Sequence, residues 1–347
     1  MGHAEPGLNE LYAAPASASA ETVIVSGIQP SGTLHLGNYF GAIRQHIELH
    51  RQHRSYYFIV NYHAMTTVHD AEALRKYSID VALDYLALGF DPNASSLFLQ
   101  SDVPEVTELA WILFTLTPVS QLEKSVAYKD KVAQGLSPNA GLFNYPLLQA
   151  ADILVYGGTV VPVGADQKQN IEITRDVAAR FNQTFCPNDP VFTIPEPMIL
   201  DDVAVVPGTD GRKMSKSYGN TIGIFDSGSV LRKKIMNIIT DSTPLEEPRD
   251  PDGDNVFALI RLFASPDDRD RIASAYRSGG YGYGDAKKEL LSLIDARFAD
   301  ARERRAELSR RPDDVIDVLR QGATRAREAA RAVMERVRTA TGLVRTI

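Results

Sequence analysis

The sequence predicts a parallel α/β sheet covered by helices, followed by an all-helical region. Three observations carry this. Short β-rich runs alternate with helical patterns over the first two-thirds of the chain, and the β signal stops beyond Asn220. Breakers at Pro244, Pro248, Pro251, Pro266, Gly279-Gly280 and Pro312 then divide residues 228–342 into helices. The predicted strands are Thr22–Val25, Tyr56–Val60, Ser96–Leu99 and Thr159–Val163, with helical patterns at 38–53, 71–89 and 105–117 between them. A further strand, Val203–Val206, is expected before a lysine-rich loop. Alternation of this kind puts ligands at the carboxyl ends of the strands. The expected divisions are an extension at 1–21, a sheet domain at 22–220 and a helical domain at 221–347. The last helix carries Ala323, Ala326, Ala330, Val333, Val337 and Ala340 at three-four spacing, a stripe able to pack back on the sheet domain, with Gly342 as its stop.

A chain of 347 residues is long enough for two domains and a large core. Its 44% hydrophobic and 23% charged content is that of a soluble globular protein. No apolar run approaches the roughly 20 residues of a membrane span. The N-terminal segment lacks the basic and apolar regions of a secretory signal, and its Ala, Ser and Pro content reads as a flexible extension. The single cysteine, Cys186, excludes internal disulfides and suits a cytoplasmic location. Net charge is −7, yet residues 301–347 hold twelve Arg, no Lys and seven acidic residues, a local excess of positive charge. Such a tail can bind RNA or form a solvated amphipathic helix.

Two segments carry chemistry. Ser26-Gly27-Ile28-Gln29-Pro30-Ser31-Gly32-Thr33-Leu34-His35-Leu36-Gly37-Asn38 follows the first strand and opens a helix, whose free N–H groups attract anions. Gly27 and Gly32 have P-loop spacing, but Thr33-Leu34 stands where Lys-Ser/Thr is required, so a Walker A loop is rejected. An ordinary tight turn over a packed histidine is the plain alternative. Much later, Lys213-Met214-Ser215-Lys216-Ser217 follows the turn-rich Gly208-Thr209-Asp210-Gly211-Arg212 and places two ammonium groups and two hydroxyls on one loop. Nucleotidyl transfer needs alignment and countercharge more than covalent help, which suits mobile lysines. Together the segments point to the triphosphate of ATP.

On these two signatures the chain resembles the class I aminoacyl-tRNA synthetases, whose HIGH and KMSKS motifs read HLGN and KMSKS here. Within that class it is similar to the bacterial tryptophanyl-tRNA synthetase family, through SGIQPSGTLHLGNYFGAI, NYHAMT, YPLLQAADIL, VPVGADQKQNIEITRDVAARFN and GATRAREAA. The resemblance runs from about Val23 to Leu343 and implies a Rossmann-like catalytic domain, a helical tRNA-binding domain, a homodimer, and ATP-dependent formation of tryptophanyl-adenylate followed by transfer to tRNA(Trp). It implies that Gln29, Pro30, Ser31, Gly37 and Asn38 line the ATP site with His35, and that Lys131 reaches the phosphates. Gly164, Ala165 and Asp166 would hold adenosine and Val205 would lie near adenine, while Lys213, Met214, Ser215, Lys216 and Ser217 would bind pyrophosphate. His35, Asn38, Lys131, Lys213 and Lys216 form the catalytic set. Mg²⁺ would arrive bound to ATP, and no metal site is assigned.

The amino-acid site is expected on the helix through Tyr145, Gln149 and Asp152, where Pro146 suits a first turn. Gln149 and Asp152 share a face. An aspartate in so apolar a helix needs a donor, either an indole N–H or a neighbouring Arg or Lys. By family match Tyr145 and Gln167 hold the α-ammonium and His63 lines the pocket. Gln149 stands where the tryptophan enzymes usually carry methionine, and Gln-x-x-Asp is also the tyrosyl pattern, so a tyrosine–tRNA ligase and a non-catalytic tRNA-binding paralogue are the alternatives. Val25 favours tryptophan, because the tyrosine enzymes place a tyrosine there. His46, His50 and His53 read as a solvated helix face, and Trp111 as core or interface packing.

Overall fold

The computed structural model describes residues 21–30, 32–133, 135, 138–164, 167–199 and 205–343, without the side chains of residues 126, 127, 130 and 131. Its sheet has five parallel strands, β1 (Val23–Ile28), β2 (Arg54–Ile59), β3 (Ser96–Leu99), β4 (Val160–Val163) and β5 (Glu196–Ile199). Their order is β3-β2-β1-β4-β5. The chain therefore builds outward from β1 to one side, then returns and builds to the other. Such a reversal opens a crevice at the carboxyl ends of the two strands on either side of it. β1 pairs with β2 along its whole length, Val23–Ile28 against Arg54–Ile59, but meets β4 in a single registered pair, Ile24 opposite Val160.

Alternation along the strands feeds two cores, as expected for a sheet buried on both faces. Ile24, Ile28, Tyr57, Ile59 and Leu97 face one core, with Tyr85, Leu259, Leu290 and Phe298 across from them. Val23, Val25, Tyr56, Phe58 and Phe98 face the other, against Leu109, Leu147, Ile171 and Phe181. The helices Glu105–Leu116, Ala140–Leu154 and Lys168–Phe185 cover that second face.

The fifth strand is not the one expected. Val205 and Val206 are outside any strand, residues 203 and 204 lie outside the described residues, and β5 comes from Glu196–Ile199 instead. Pro195 and Pro197 hide it from sequence reasoning, yet an edge strand tolerates a proline because one side of it has no ladder to complete.

Beyond Asn220 the described regular elements are helical, among them Gly228–Met236, Asn255–Ile260, Pro266–Ser278, Tyr283–Ser309 and Pro312–Thr341. Their starts are written in the sequence. Ser265 Oγ accepts from Asp268 N at 3.2 Å ahead of Pro266, and Asp254 Oδ1 accepts from Phe257 N at 2.7 Å. The final helix, Pro312–Thr341, lies along the edge strand β3. Its Gly322 approaches so closely that a Cβ there would sit 2.0 Å from the carbonyl oxygen of Leu97. Four of its arginines reach other elements: Arg325 donates to Pro92 O at 2.7 Å, Arg327 and Arg331 reach Glu105 at 3.2 and 3.3 Å, and Arg338 pairs with Glu108. Much of the basic excess of this segment thus ties the helix to the sheet. Among the described residues no helix is long and apolar enough to cross a membrane.

Candidate active site

The turn after β1 delivers His35 in extended conformation, φ −125° and ψ 170°, onto the helix that begins at Leu36. Asn38 Oδ1 reaches back to accept from His35 N at 3.1 Å, which fixes this helix start. The helix passes through a π-helical turn, Tyr39–Ile43, before continuing as Arg44–Leu49. Gly37 and Asn38 are half-buried, Pro30 is buried and Gln29 is exposed.

The second signature folds against the first. Leu36 N donates to Ile222 O at 3.0 Å and Ile224 N donates to Leu34 O at 3.1 Å, so the strand-like segment after the lysine loop brackets His35. Gly32, at φ +88°, lies so near this loop that a Cβ there would come within 3.9 Å of Lys216 Nζ. A Cβ on Gly37 would lie 3.5 Å from Met214 Cβ. Burial, with the positive charge of Lys216 adding to it, lowers the His35 pKa to about 4, so the imidazole is neutral at physiological pH. Partial burial also lowers the pKa of Lys216, whose side chain still reaches the surface, against the pull of Asp84.

The loop itself hangs on one residue that the sequence did not single out. Asn220 is buried: its Oδ1 accepts from Ser215 N at 2.8 Å, while its Nδ2 donates to Asp210 Oδ1 at 2.6 Å and Lys213 O at 3.2 Å. Met214 is buried and its N–H donates to Val206 O at 2.8 Å. Lys213, Lys216 and Ser217 stand exposed around that anchor, and Ser215 Oγ accepts from Ser217 N at 3.3 Å.

A cavity of about 360 Å³ opens between β1 and β4. Val25, Gln29, His63, Tyr145, Gln149, Asp152, Gly164 and Gln167, all expected at the ligand sites, line it together. The helical run that starts at Leu36 lines it too, through Ala42 and His46, which joins the cavity to the signatures. Asp152 is 1% exposed, and among the described residues its hydrogen-bond partners are neither Arg nor Lys. Gln100 Nε2 donates to both its oxygens, at 2.9 and 2.7 Å, and His63 Nε2 stands 3.1 Å from Oδ2. Burial raises the Asp152 pKa, while the hydrogen bond and charge of His63 and the Gln100 bonds pull it back.

At the other end of the same helix face, Asn170 Nδ2 lies 3.2 Å from Tyr145 Oη, 3.1 Å from Gln149 Oε1 and 2.9 Å from Gln167 Oε1. One buried amide thus gathers three expected site residues. Neither Gln100 nor Asn170 gave a sequence signal, because uncharged amides carry no periodicity or charge pattern. Asn139 caps the helix by accepting from Leu142 N at 2.8 Å, so Ala140 begins it and Pro146 sits inside it rather than in a first turn.

Ser31, Ala165 and Asp166 lie outside the described residues. Lys131 belongs to the helix Val126–Ala133, and its side chain is likewise outside them. Val205 is exposed, next to the Val206 carbonyl that holds Met214. The histidine helix face is corrected. His46 and His50 are buried, His46 between Ser26 Oγ at 3.0 Å and Tyr85 Oη at 2.9 Å, and His50 between Ile47 O and the Asp91 N–H. Hydrogen bonding satisfies both rings, which a helical-face argument alone does not reveal. Trp111 is 69% exposed, which removes the core reading.

Residues 17–299 match the family model described as tRNA synthetases class I (W and Y). The chain is 50% identical over 323 residues to the tryptophan–tRNA ligase of Fusobacterium nucleatum, covering 93% of this chain and 98% of that protein. It is 51% identical over 320 residues to the tryptophan–tRNA ligase of Rhodopirellula baltica, covering 92% and 99%. Its fold superposes with a TM-score of 0.88 on a crystal structure of tryptophanyl-tRNA synthetase from Campylobacter jejuni complexed with ADP and tryptophan, at 46% identity and covering 93% of this chain and all of that one. These relatives set the tyrosine alternative aside. The chain belongs to the class I tRNA synthetases, in their tryptophan–tRNA ligase branch.

Proposed function

We propose that the chain joins L-tryptophan to tRNA(Trp) at the expense of ATP, each site residue having a distinct part in the reaction. The single observation that carries this reading is the folding of the two signatures against each other, through Leu36 N–H on Ile222 O and the approach of Gly32 to Lys216, at the start of a helical run whose later turns line the cavity that holds the buried Asp152. Indole N–H donates to Asp152, Val25 and Phe58 give the ring an apolar wall, and Tyr145 and Gln167 hold the α-ammonium. The carboxylate of tryptophan attacks the α-phosphorus in line. An O–P bond forms, the α–β bridge bond breaks, and pyrophosphate leaves. His35, Asn38, Lys131, Lys213 and Lys216 stabilise the phosphate charge that develops, with Met214, Ser215 and Ser217 completing the pyrophosphate grip. Gln29, Pro30, Ser31, Gly37, Gly164, Ala165, Asp166 and Val205 hold the rest of ATP. Mg²⁺ enters as the counter-ion of ATP.

The helical region at 221–347 reads the tRNA in this proposal, and the protein works in the cytoplasm as a homodimer. The exposed Trp111, beside an apolar groove formed by Ala110, Phe114 and Leu148, supports the dimer. ATP–pyrophosphate exchange run with all twenty amino acids, followed by charging of bulk tRNA, tests the assignment. Exchange with tryptophan and charging of tRNA(Trp) are expected. Exchange driven by another amino acid, or none at all, overturns it.

A further inference from the structure

Gln100 does not line the cavity, yet it controls the one carboxylate there that is fully buried. It stands in the turn that ends β3 and is 0% exposed. Its Oε1 accepts from Tyr62 N at 3.0 Å, and that contact sets the amide orientation, because a backbone N–H cannot face an NH₂ group. Nε2 is thereby aimed at Asp152, where it donates to both carboxylate oxygens. Tyr62 and His63 share the short helix Asn61–Ala64, so the same contact also places the second donor to Asp152. Three segments, after β2, after β3 and on the helix before β4, are locked to each other through one side chain.

We propose that Gln100 is a positioning residue for amino-acid selection: it holds the Asp152 carboxylate ionised and fixed in orientation, so that the cavity selects an aromatic ring bearing an N–H donor. The inference rests on the tryptophan reading of the cavity. With Gln100 and His63 already on the carboxylate, acceptor capacity is left for a further donor from the cavity that Asp152 lines. A ring that fits but carries no donor leaves a buried anion short of a bond. Sites built to hydrogen-bond a substrate group reject analogues lacking it far more strongly than apolar pockets reject a missing methylene. Without Gln100 the carboxylate loses two charge-assisted bonds, burial then favours its neutral form, and an N–H donor gains less.

The test compares L-tryptophan with 3-benzothienyl-L-alanine, in which sulfur replaces the indole N–H, by ATP–pyrophosphate exchange on the full chain. Wild type is expected to prefer tryptophan by ~100-fold or more in kcat/KM, and Gln100→Met to reduce that ratio at least ~10-fold while the KM for ATP stays within about twofold. Because methionine also strips Tyr62 N–H of its acceptor, Gln100→Glu is measured alongside. It keeps an oxygen for Tyr62, places a second carboxyl against Asp152 and is expected to lower the ratio in the same way. A merely structural role would weaken both substrates equally. A ratio that stays the same or rises in the folded variants overturns the proposal, as does a wild-type preference below about tenfold. Wild type that shows no exchange with tryptophan would instead refute the functional reading on which the proposal rests.

Discussion

The cavity floor and the lysine loop belong to one site and are built in opposite ways. At and behind the floor, Asp152 and the two amides that do not line the cavity, Gln100 and Asn170, are all at most 1% exposed, and each is held by several hydrogen bonds. In the loop, Lys213, Lys216 and Ser217 stand on the surface around two buried anchors, Asn220 and Met214. Selection of an amino acid demands donors and acceptors whose positions do not yield, because discrimination comes from leaving a buried group unpaired. Stabilising a leaving pyrophosphate demands cations that follow the charge as it moves and then let go. Burial and exposure are divided between the two regions according to what each must recognise.

If that division holds, substitutions should separate kcat from amino-acid binding. Lys216→Ala is expected to have the largest effect, lowering kcat for pyrophosphate exchange by ~100-fold or more while the Kd for tryptophan, read by calorimetry, moves less than about threefold. Equal losses in both would erase the distinction. Asp152→Asn should do the converse, raising the KM for tryptophan by about 100-fold and leaving the KM for ATP nearly unchanged, since a neutral amide presents Gln100 and His63 with an extra donor.

Acid sharpens the comparison, because a buried histidine sits in each region: His46 at the cavity and His35 at the loop. Burial holds both pKa values at about 4, below the 6.5 of the unfolded chain. The unfolded state therefore binds more protons between these values, and stability falls as pH drops from 6.5 toward 4, on the order of 2–3 kcal/mol per histidine. Asp84 works the other way, its pKa raised to about 6 by burial against the pull of Arg305, so its contribution is greatest in acid and is lost as pH rises through 6. Urea unfolding at several pH values should show the histidine slope prevailing. The smallest effect is expected from Asn220→Ala, which should lower kcat about fivefold and raise the KM for ATP, without touching the KM for tryptophan. A change in tryptophan KM there would mean that the loop and the floor are not independent.

The sequence made the first four strands and the two signatures legible because each has a local mark: a β-rich run, a glycine turn or a lysine pair. Asp152 was legible for a different reason, as a charge where the helix pattern has no place for one. What escaped notice lacks any such mark. β5 hides behind Pro195 and Pro197. Gln100 and Asn170 are neutral amides whose value exists only in three dimensions. His46 and His50 misled because helical spacing says which residues share a face but not whether that face meets water. In the structure it meets Tyr85 and Phe90.

The covering of β3 by the final helix has a consequence for how the protein is made. Arg325 and Ser96 touch across 229 positions of chain, and the sheet edge stays open until that helix arrives. During synthesis the nascent sheet must wait, one flank bare, until residues 312–341 have been made. A chain cut short before Pro312 would therefore keep both signatures and carry an adhesive border. Quality control would meet it as an aggregation hazard before it could act as an enzyme.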